Sequence, residues 1–228
     1  MKRFAKALVV LVVLALCAGP ALALDKFEAD LTVQKAAMVI KQFMASPDAD
    51  AARYLLKRAR AVVIVPDMVK AGFVIGGKYG HGVMLARTKK GWSAPSFVTI
   101  AGATVGFQIG AQSTDLFMFV MNAKGLKALM KDSAKFGVDA AVTAGPVGRD
   151  AAASLAATKA LADIYSYSRS QGAYAGATLE GSGMEPDLET NKAYYGKAYR
   201  PADILLKGKV PVPASARDLI KTLEKFAR

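Results

Sequence analysis

The sequence predicts an α+β fold: a single domain in which N-terminal helices precede a mainly antiparallel β-sheet, or a partly closed barrel, with further helices packed on it. Three observations lead there. The segment from Asp25 to Arg60 carries helical periodicity. The stretch from Gly91 to Thr114 has no charged side chain and alternates at period two. Short apolar runs broken by glycine and proline lie on both sides of that stretch, as antiparallel strands require.

The first helix is expected over about residues 25–45, where Val33, Ala36, Ala37, Ile40, Phe43 and Met44 share one face. Ser46-Pro47-Asp48 reads as its stop and as the cap and first position of a second helix, which ends in Lys57-Arg58-Ala59-Arg60. Ala61–Val65 reads as a short buried strand closed by Pro66-Asp67. Gly72–Gly77 and Gly82–Arg87 read as a hairpin around Lys78-Tyr79-Gly80-His81, and Thr88–Gly91 as a polar turn.

The uncharged stretch that follows must be buried in protein or in lipid, because its apolar area is too large to leave in water. Gly102, Gly106 and Gly110 fit the small-residue spacing of a membrane helix. At period two, Val98, Ile100, Gly102, Thr104, Gly106, Gln108 and Gly110 share one face, and Phe97, Thr99, Ala101, Ala103, Val105, Phe107 and Ile109 the other. The Val, Ile, Thr and Phe content and Pro95 at the start suit a strand, whose glycine face admits another element or a ligand close to the backbone.

Beyond it the sequence predicts a strand over Asp115–Met121, a short helix over Ala123–Lys131, extended chain over Val138–Val147, and a hairpin of Asp163–Arg169 with Ala173–Glu180. Residues 150–162 are Ala-rich and fit helix or irregular chain, and Gly181-Ser182-Gly183 closes the hairpin unit. Helices are expected over Asp187–Tyr195 and Ala214–Phe226. Three segments result: a signal peptide over residues 1–23, a domain over 24–199, and a C-terminal extension with an amphipathic helix over 200–228.

The signal peptide rests on a basic start (Lys2, Arg3, Lys6), the apolar run Ala7–Leu16 and the small-residue site Gly19-Pro20-Ala21-Leu22-Ala23. Cleavage after Ala23 implies a periplasmic protein and removes Cys17, the only cysteine. The rival is a lipoprotein anchored at Cys17, but Leu16 is large where lipoprotein signals place a small residue. Without Cys17, disulfide and thiol chemistry are excluded.

Little else points to catalysis, and the chain is expected not to be an enzyme. His81 is the only histidine, it lies in a predicted turn, and no GxSxG motif is present. Gly145–Arg149 lacks the Lys-Ser/Thr ending of a phosphate loop. Glu180, Glu185, Asp187 and Glu189 do not match a calcium loop. No catalytic residue, metal site or cofactor is assigned.

The basic residues carry the functional reading. Lys and Arg outnumber Asp and Glu by 31 to 18. Arg53, Lys57, Arg58, Arg60, Lys70, Lys78, Arg87, Lys89 and Lys90 fall between residues 51 and 90 against one acid, Asp67. In an exported chain the counter-charge is anionic lipid rather than nucleic acid. The C-terminal helix, with Leu219, Ile220, Leu223 and Phe226 on one side, offers a membrane face or, as such helices more often do, a core-packing face.

A set of motifs adds to this: Ala71–Gly77, Gly82–Arg87, Trp92-Ser93-Ala94-Pro95, Val105–Asp115, Ala144–Arg149, Ile164–Ser170, Leu179-Glu180-Gly181-Ser182 and Tyr194-Tyr195-Gly196. In this order they resemble the SYLF lipid-binding domain family across most of residues 35–196. The resemblance implies lipid binding, with eukaryotic members linked to phosphoinositides and some to actin, and it carries over no catalytic residue. A periplasmic member would meet neither phosphoinositides nor actin, so what carries over is binding of anionic phospholipid or another lipid at a membrane surface. The expected lipid-binding residues are Lys57, Arg58, Arg60, Lys70, Lys78, Arg87, Lys89 and Lys90. The alternative is an envelope structural or interaction protein whose basic face meets an acidic protein or polysaccharide.

Overall fold

Three buried apolar runs, Ala61–Val65, Val83–Ala86 and Leu116–Val120, organise the fold. Each is buried on both faces, so each reads as continuous rather than alternating apolar sequence. The computed structural model describes residues 25–46, 49–147, 150–158, 161–170, 173–177, 179 and 181–227. The expected signal segment and Pro47-Asp48 lie outside the described residues.

A first helix, α1, covers residues 25–44, and α2 follows at Ala49–Arg58. Strands β1 (Ala61–Thr88), β2 (Gly91–Trp92) and β3 (Ser96–Val120) come next. Then follow α3 (Ala123–Leu129), β4 (Ala134–Lys135), β5 (Val142–Ala144) and α4 (Ala151–Ala157). The chain continues with β6 (Ile164–Ser170), β7 (Ala173–Gly176), β8 (Ser182–Pro186), α5 (Leu188–Tyr195), α6 (Pro201–Leu205) and α7 (Arg217–Phe226). The sheet runs β2-β1-β3-β6-β5, with β7 on β6 and β8 between β3 and β4. Among the described strands the β5–β6 pairing is parallel and the others are antiparallel. The result is a single α+β domain whose mainly antiparallel sheet curls into a half-barrel.

Its main device is a ribbon. β1 and β3 pair from Ala61↔Val120 to Met84↔Ser96, and the ribbon then bends back on itself. The Arg87 N–H donates to the Arg60 carbonyl at 2.7 Å, bringing the two ends of β1 side by side. Register shifts between Val65 and Met68 and between Gly72 and Val74 accompany the bend. At the first, Asp67 adopts φ 49, its N–H donates to Asp115 Oδ1 and its carboxylate meets Lys35 at 2.7 Å.

The bend corrects the expected hairpin around Lys78–His81. Those residues are in the middle of β1, and Gly80 and Gly82 are there because the other half of the strand presses on them: a Cβ on Gly80 would stand 2.8 Å from a Val65 methyl. The break between the two expected strands at Asp115 is likewise absent, since β3 runs through it. β8 occupies the segment read as a closing loop, pairing Gly102↔Ser182.

Both faces of the half-barrel are covered. On one, Ile40 and Phe43 of α1, Leu55 and Leu56 of α2 and Leu219 and Leu223 of α7 pack on Val62, Ile64, Val83, Leu85, Phe117, Phe119 and Tyr167. On the other, the concave face, Val63, Val65, Met68, Met84, Leu116, Met118 and Met184 pack with Leu129, Phe136 and Leu205. The C-terminal helix therefore uses its apolar side for core packing. Among the described residues no helix is long and apolar enough to cross a membrane.

Candidate functional site

Six of the eight expected lipid-binding residues gather where α2 ends and β1 turns into β2. Lys57 and Arg58 are exposed in the last turn of α2, where cations complement the helix dipole. Arg60 is exposed just beyond. The bend of β1 sets Arg87 beside Arg60, and the turn carries Lys89 and Lys90, both exposed. Arg58 stacks its guanidinium 3.8 Å from the Tyr54 ring centre.

Arg87 has structural work as well. Its Nε donates to Ala59 O at 3.0 Å and a terminal nitrogen to Leu56 O at 2.7 Å, closing the end of α2. Its guanidinium lies 4.6 Å from the Trp92 ring. Beside it an open cleft of about 350 Å³ is lined by Arg87, Gly91, Trp92, Glu224 and Ala227.

Lys70 and Lys78 are not part of this cluster. Both lie near the bend of the ribbon, paired in register with Gln112 and Gly102. Burial lowers the pKa of Lys70, and burial followed by the Lys70 charge lowers that of Lys78. Among the described residues none of the eight forms an ion pair, whereas Lys35, Lys41, Lys124 and Lys131 each hold an aspartate.

The outer stripe of α1 escaped the sequence reading. Phe27, Leu31 and Met38 are exposed, Phe27 by 65% and Met38 by 52%. Their spacing of four and seven residues was the available signal, masked because the buried face of the same helix satisfies the same period.

His81 lies in a strand rather than a turn, with its side chain about half exposed. Within β1 its Nδ1 lies 3.2 Å from Thr99 Oγ1 and 3.4 Å from Asp187 Oδ2, and its Nε2 lies 3.0 Å from the Tyr79 hydroxyl. Asp187 also caps α5, accepting from the Thr190 N–H at 2.9 Å. A cleft of about 210 Å³ here is lined by Asp25, Glu28, Thr32, His81, Asp187 and Glu189 among others. Among the described residues no group of three or more His, Cys, Asp or Glu is arranged to hold a metal ion.

The hydrogen bond with Asp187 raises the His81 pKa above 6.5, against a smaller opposing effect of burial. For Asp187, burial opposes ionisation, but hydrogen bonds from His81 and Thr190 outweigh it and lower the pKa. A raised histidine stabilises the fold fully below its unfolded value and loses that contribution as pH climbs through the folded value. His81→Gln should therefore lower the melting temperature at pH 5.5 and leave it nearly unchanged at pH 9. Equal losses at both pH values would rule the ion pair out as the cause.

Comparisons with known proteins bear on this geometry. The family model described as "Ysc84: Las17-binding protein actin regulator" matches residues 101–226, reaching past the motif resemblance into the C-terminal helices. Protein YSC84 of Saccharomyces cerevisiae is 36% identical over 206 residues, covering 85% of this chain and 43% of the relative. LAS seventeen-binding protein 3 of the same species is 37% identical over 180 residues, covering 76% and 38%. The human SH3 domain-containing YSC84-like protein 1 is 34% identical over 200 residues, covering 85% and 58%. The chain thus spans about half the length of the curated relatives it matches. No solved structure matches it. The family model covers more than half of the 228 residues and the relatives align along most of the rest; the chain belongs to the Ysc84 (SYLF) family.

Proposed function

We propose that this chain is a non-enzymatic lipid-binding module of the bacterial periplasm or envelope, docking on anionic membrane surfaces. One observation carries the reading: Lys57, Arg58, Arg60, Lys89 and Lys90 converge from two elements onto one exposed surface, and among the described residues no carboxylate pairs with them. A surface of this kind attracts anionic headgroups by about 1 kcal/mol for each Lys or Arg brought close. The exposed stripe of Phe27, Leu31 and Met38 supplies apolar side chains of the kind that enter the headgroup region.

Co-sedimentation with vesicles tests this. The chain without residues 1–23, the form that cleavage after Ala23 leaves, should bind vesicles containing phosphatidylglycerol, leave phosphatidylcholine vesicles alone, and dissociate as salt shortens the screening length. The triple reversal Lys57→Glu, Arg58→Glu, Arg60→Glu should weaken binding by at least about a hundredfold, from about 1 kcal/mol per lost charge and further repulsion. Binding to neutral vesicles that salt does not disturb would sink the proposal.

A second reading follows from the relatives' names. The family description says Las17-binding and one relative is named LAS seventeen-binding protein 3, which is protein recognition. Here the same basic surface would meet an acidic protein or polysaccharide of the envelope. It predicts no vesicle binding and a pulled-down partner that the triple reversal releases.

A further inference from the structure

The concave face of the half-barrel holds a second cationic feature that membrane docking does not use. Lys78, Gly102 and Ser182 stand in one register row across β1, β3 and β8. Directly opposed residues of antiparallel strands project to the same face. Two residues along each strand, Gly80, Ile100 and Met184 form the next row, and Ile100 and Met184 belong to the concave core. Lys78 therefore points into the concavity, where it is only 7% exposed.

The bend brings a second amine to it. A Cβ on Gly80 would lie 3.0 Å from Met68 Cβ, so stepping two residues from each toward the bend sets Lys70 beside Lys78 on the same face. Consistent with that, the Lys70 charge is felt at Lys78. Neither lysine has a carboxylate partner among the described residues.

Two hydroxyls on this face are buried without a hydrogen-bond partner among the described residues, Ser182 Oγ and Thr114 Oγ1. The Ser182 hydroxyl leans over Gly102, where a side chain would come within 2.6 Å of it. Thr114 is paired with Met68, two positions from the Lys70–Gln112 pair. Among the described residues, two ammonium groups without a carboxylate stand near two hydroxyls without a hydrogen-bond partner, so the positive charge gathered here is uncompensated. Buried polar groups left unpaired cost free energy, as do adjacent like charges.

We infer that Lys70 and Lys78 form a receptor for a tetrahedral oxyanion of the phosphate class on the concave face, with the Ser182 hydroxyl above Gly102 as an additional donor. The oxyanion supplies negative charge to both ammonium groups and acceptor oxygens to the hydroxyl. Free phosphate and the headgroup of a phosphomonoester lipid share this chemistry.

Thermal unfolding of the full chain, at constant ionic strength set with chloride, tests the site. The ligands are millimolar inorganic phosphate, glycerol phosphate, and vesicles containing phosphatidic acid. A ligand that binds only the folded state raises the melting temperature. At least one of the three should protect the native chain and the Lys57/Arg58/Arg60 triple reversal alike. Lys78→Met should weaken that ligand at least tenfold while melting in chloride no lower than the native chain, since it removes a buried unpaired charge. Should Lys78→Met fold poorly, Lys70→Met and Ser182→Ala serve in its place, each with at least a threefold loss. Protection by phosphate alone assigns a soluble ligand, and protection by glycerol phosphate or phosphatidic acid assigns a headgroup. No protection beyond chloride by any of the three, or protection that all these variants retain, overturns the inference. Because the triple reversal leaves this site intact, failure here is distinguishable from failure of membrane docking.

Discussion

Gly82→Ala should destabilise the fold by at least about 3 kcal/mol, at the upper end of what overpacking costs. A Cβ at this position would stand 2.2 Å from the Ile64 carbonyl oxygen and 2.8 Å from the Val65 Cα. These are backbone atoms, so no rotamer change relieves the contact. The halves of β1 must part, and they are held by Ile64 and Val65, both fully buried. Gly77→Ala is the matched control on the same strand. Its nearest neighbour would be the Gly102 carbonyl at 3.9 Å, and an alanine there should gain up to about 1 kcal/mol by restricting the unfolded chain. Urea denaturation of the pair gives the comparison. A difference below about 1 kcal/mol would mean that β1 does not fold back as described. The same bend sets Arg60 beside Arg87, so Gly82→Ala should also weaken vesicle binding in the folded fraction.

This contact explains where sequence reasoning succeeded and where it stopped. The face of α1 carrying Val33, Ala36, Ile40 and Phe43 was legible because one helix packs one side against a sheet, which imprints a 3.6-residue period. Asp187 was legible as a helix start because its carboxylate accepts from an N–H three residues on. The 78–82 segment was not, because glycines between polar residues look the same in a turn and in a strand that another strand crosses closely. β8 was hidden for the same reason: Gly181-Ser182-Gly183 has no intrinsic strand preference, and it is pairing with β3 that makes it a strand. The start of the uncharged middle of the chain was correctly divisible at period two, with Val98 and Ile100 on the concave core and Phe97 on the other; the side chains of residues 104–110 lie outside the described ones. For the site, the basic excess of residues 51–90 was plain in the sequence. Its division into an outer cluster and the inward pair Lys70–Lys78 depends on the bend, a contact between residues of one strand that local pattern does not encode.

Phe43→Ala should cost about 4 kcal/mol, the middle of the range for truncating a buried phenylalanine. Its ring is fully buried, with centroids 5.5 Å from Phe117, 6.3 Å from Phe119 and 5.0 Å from Tyr167. This aromatic group holds α1 on the sheet, and the edge-on contact with Phe117 adds to the area buried. A domain's whole stability is only about 5–15 kcal/mol, so the variant should be near the limit of folding and its urea midpoint should drop steeply. Phe27→Ala, on the outer stripe of the same helix, should change stability by no more than about 0.5 kcal/mol, as surface substitutions do. Under the proposed docking its expected effect is on vesicle binding, which should weaken because an exposed aromatic able to enter the headgroup region is removed. Measuring both variants in both assays separates the two sides of α1. If Phe27→Ala destabilised the fold as much as Phe43→Ala, the outer stripe would be a packing surface, and the apolar part of the membrane contact would have to be sought elsewhere.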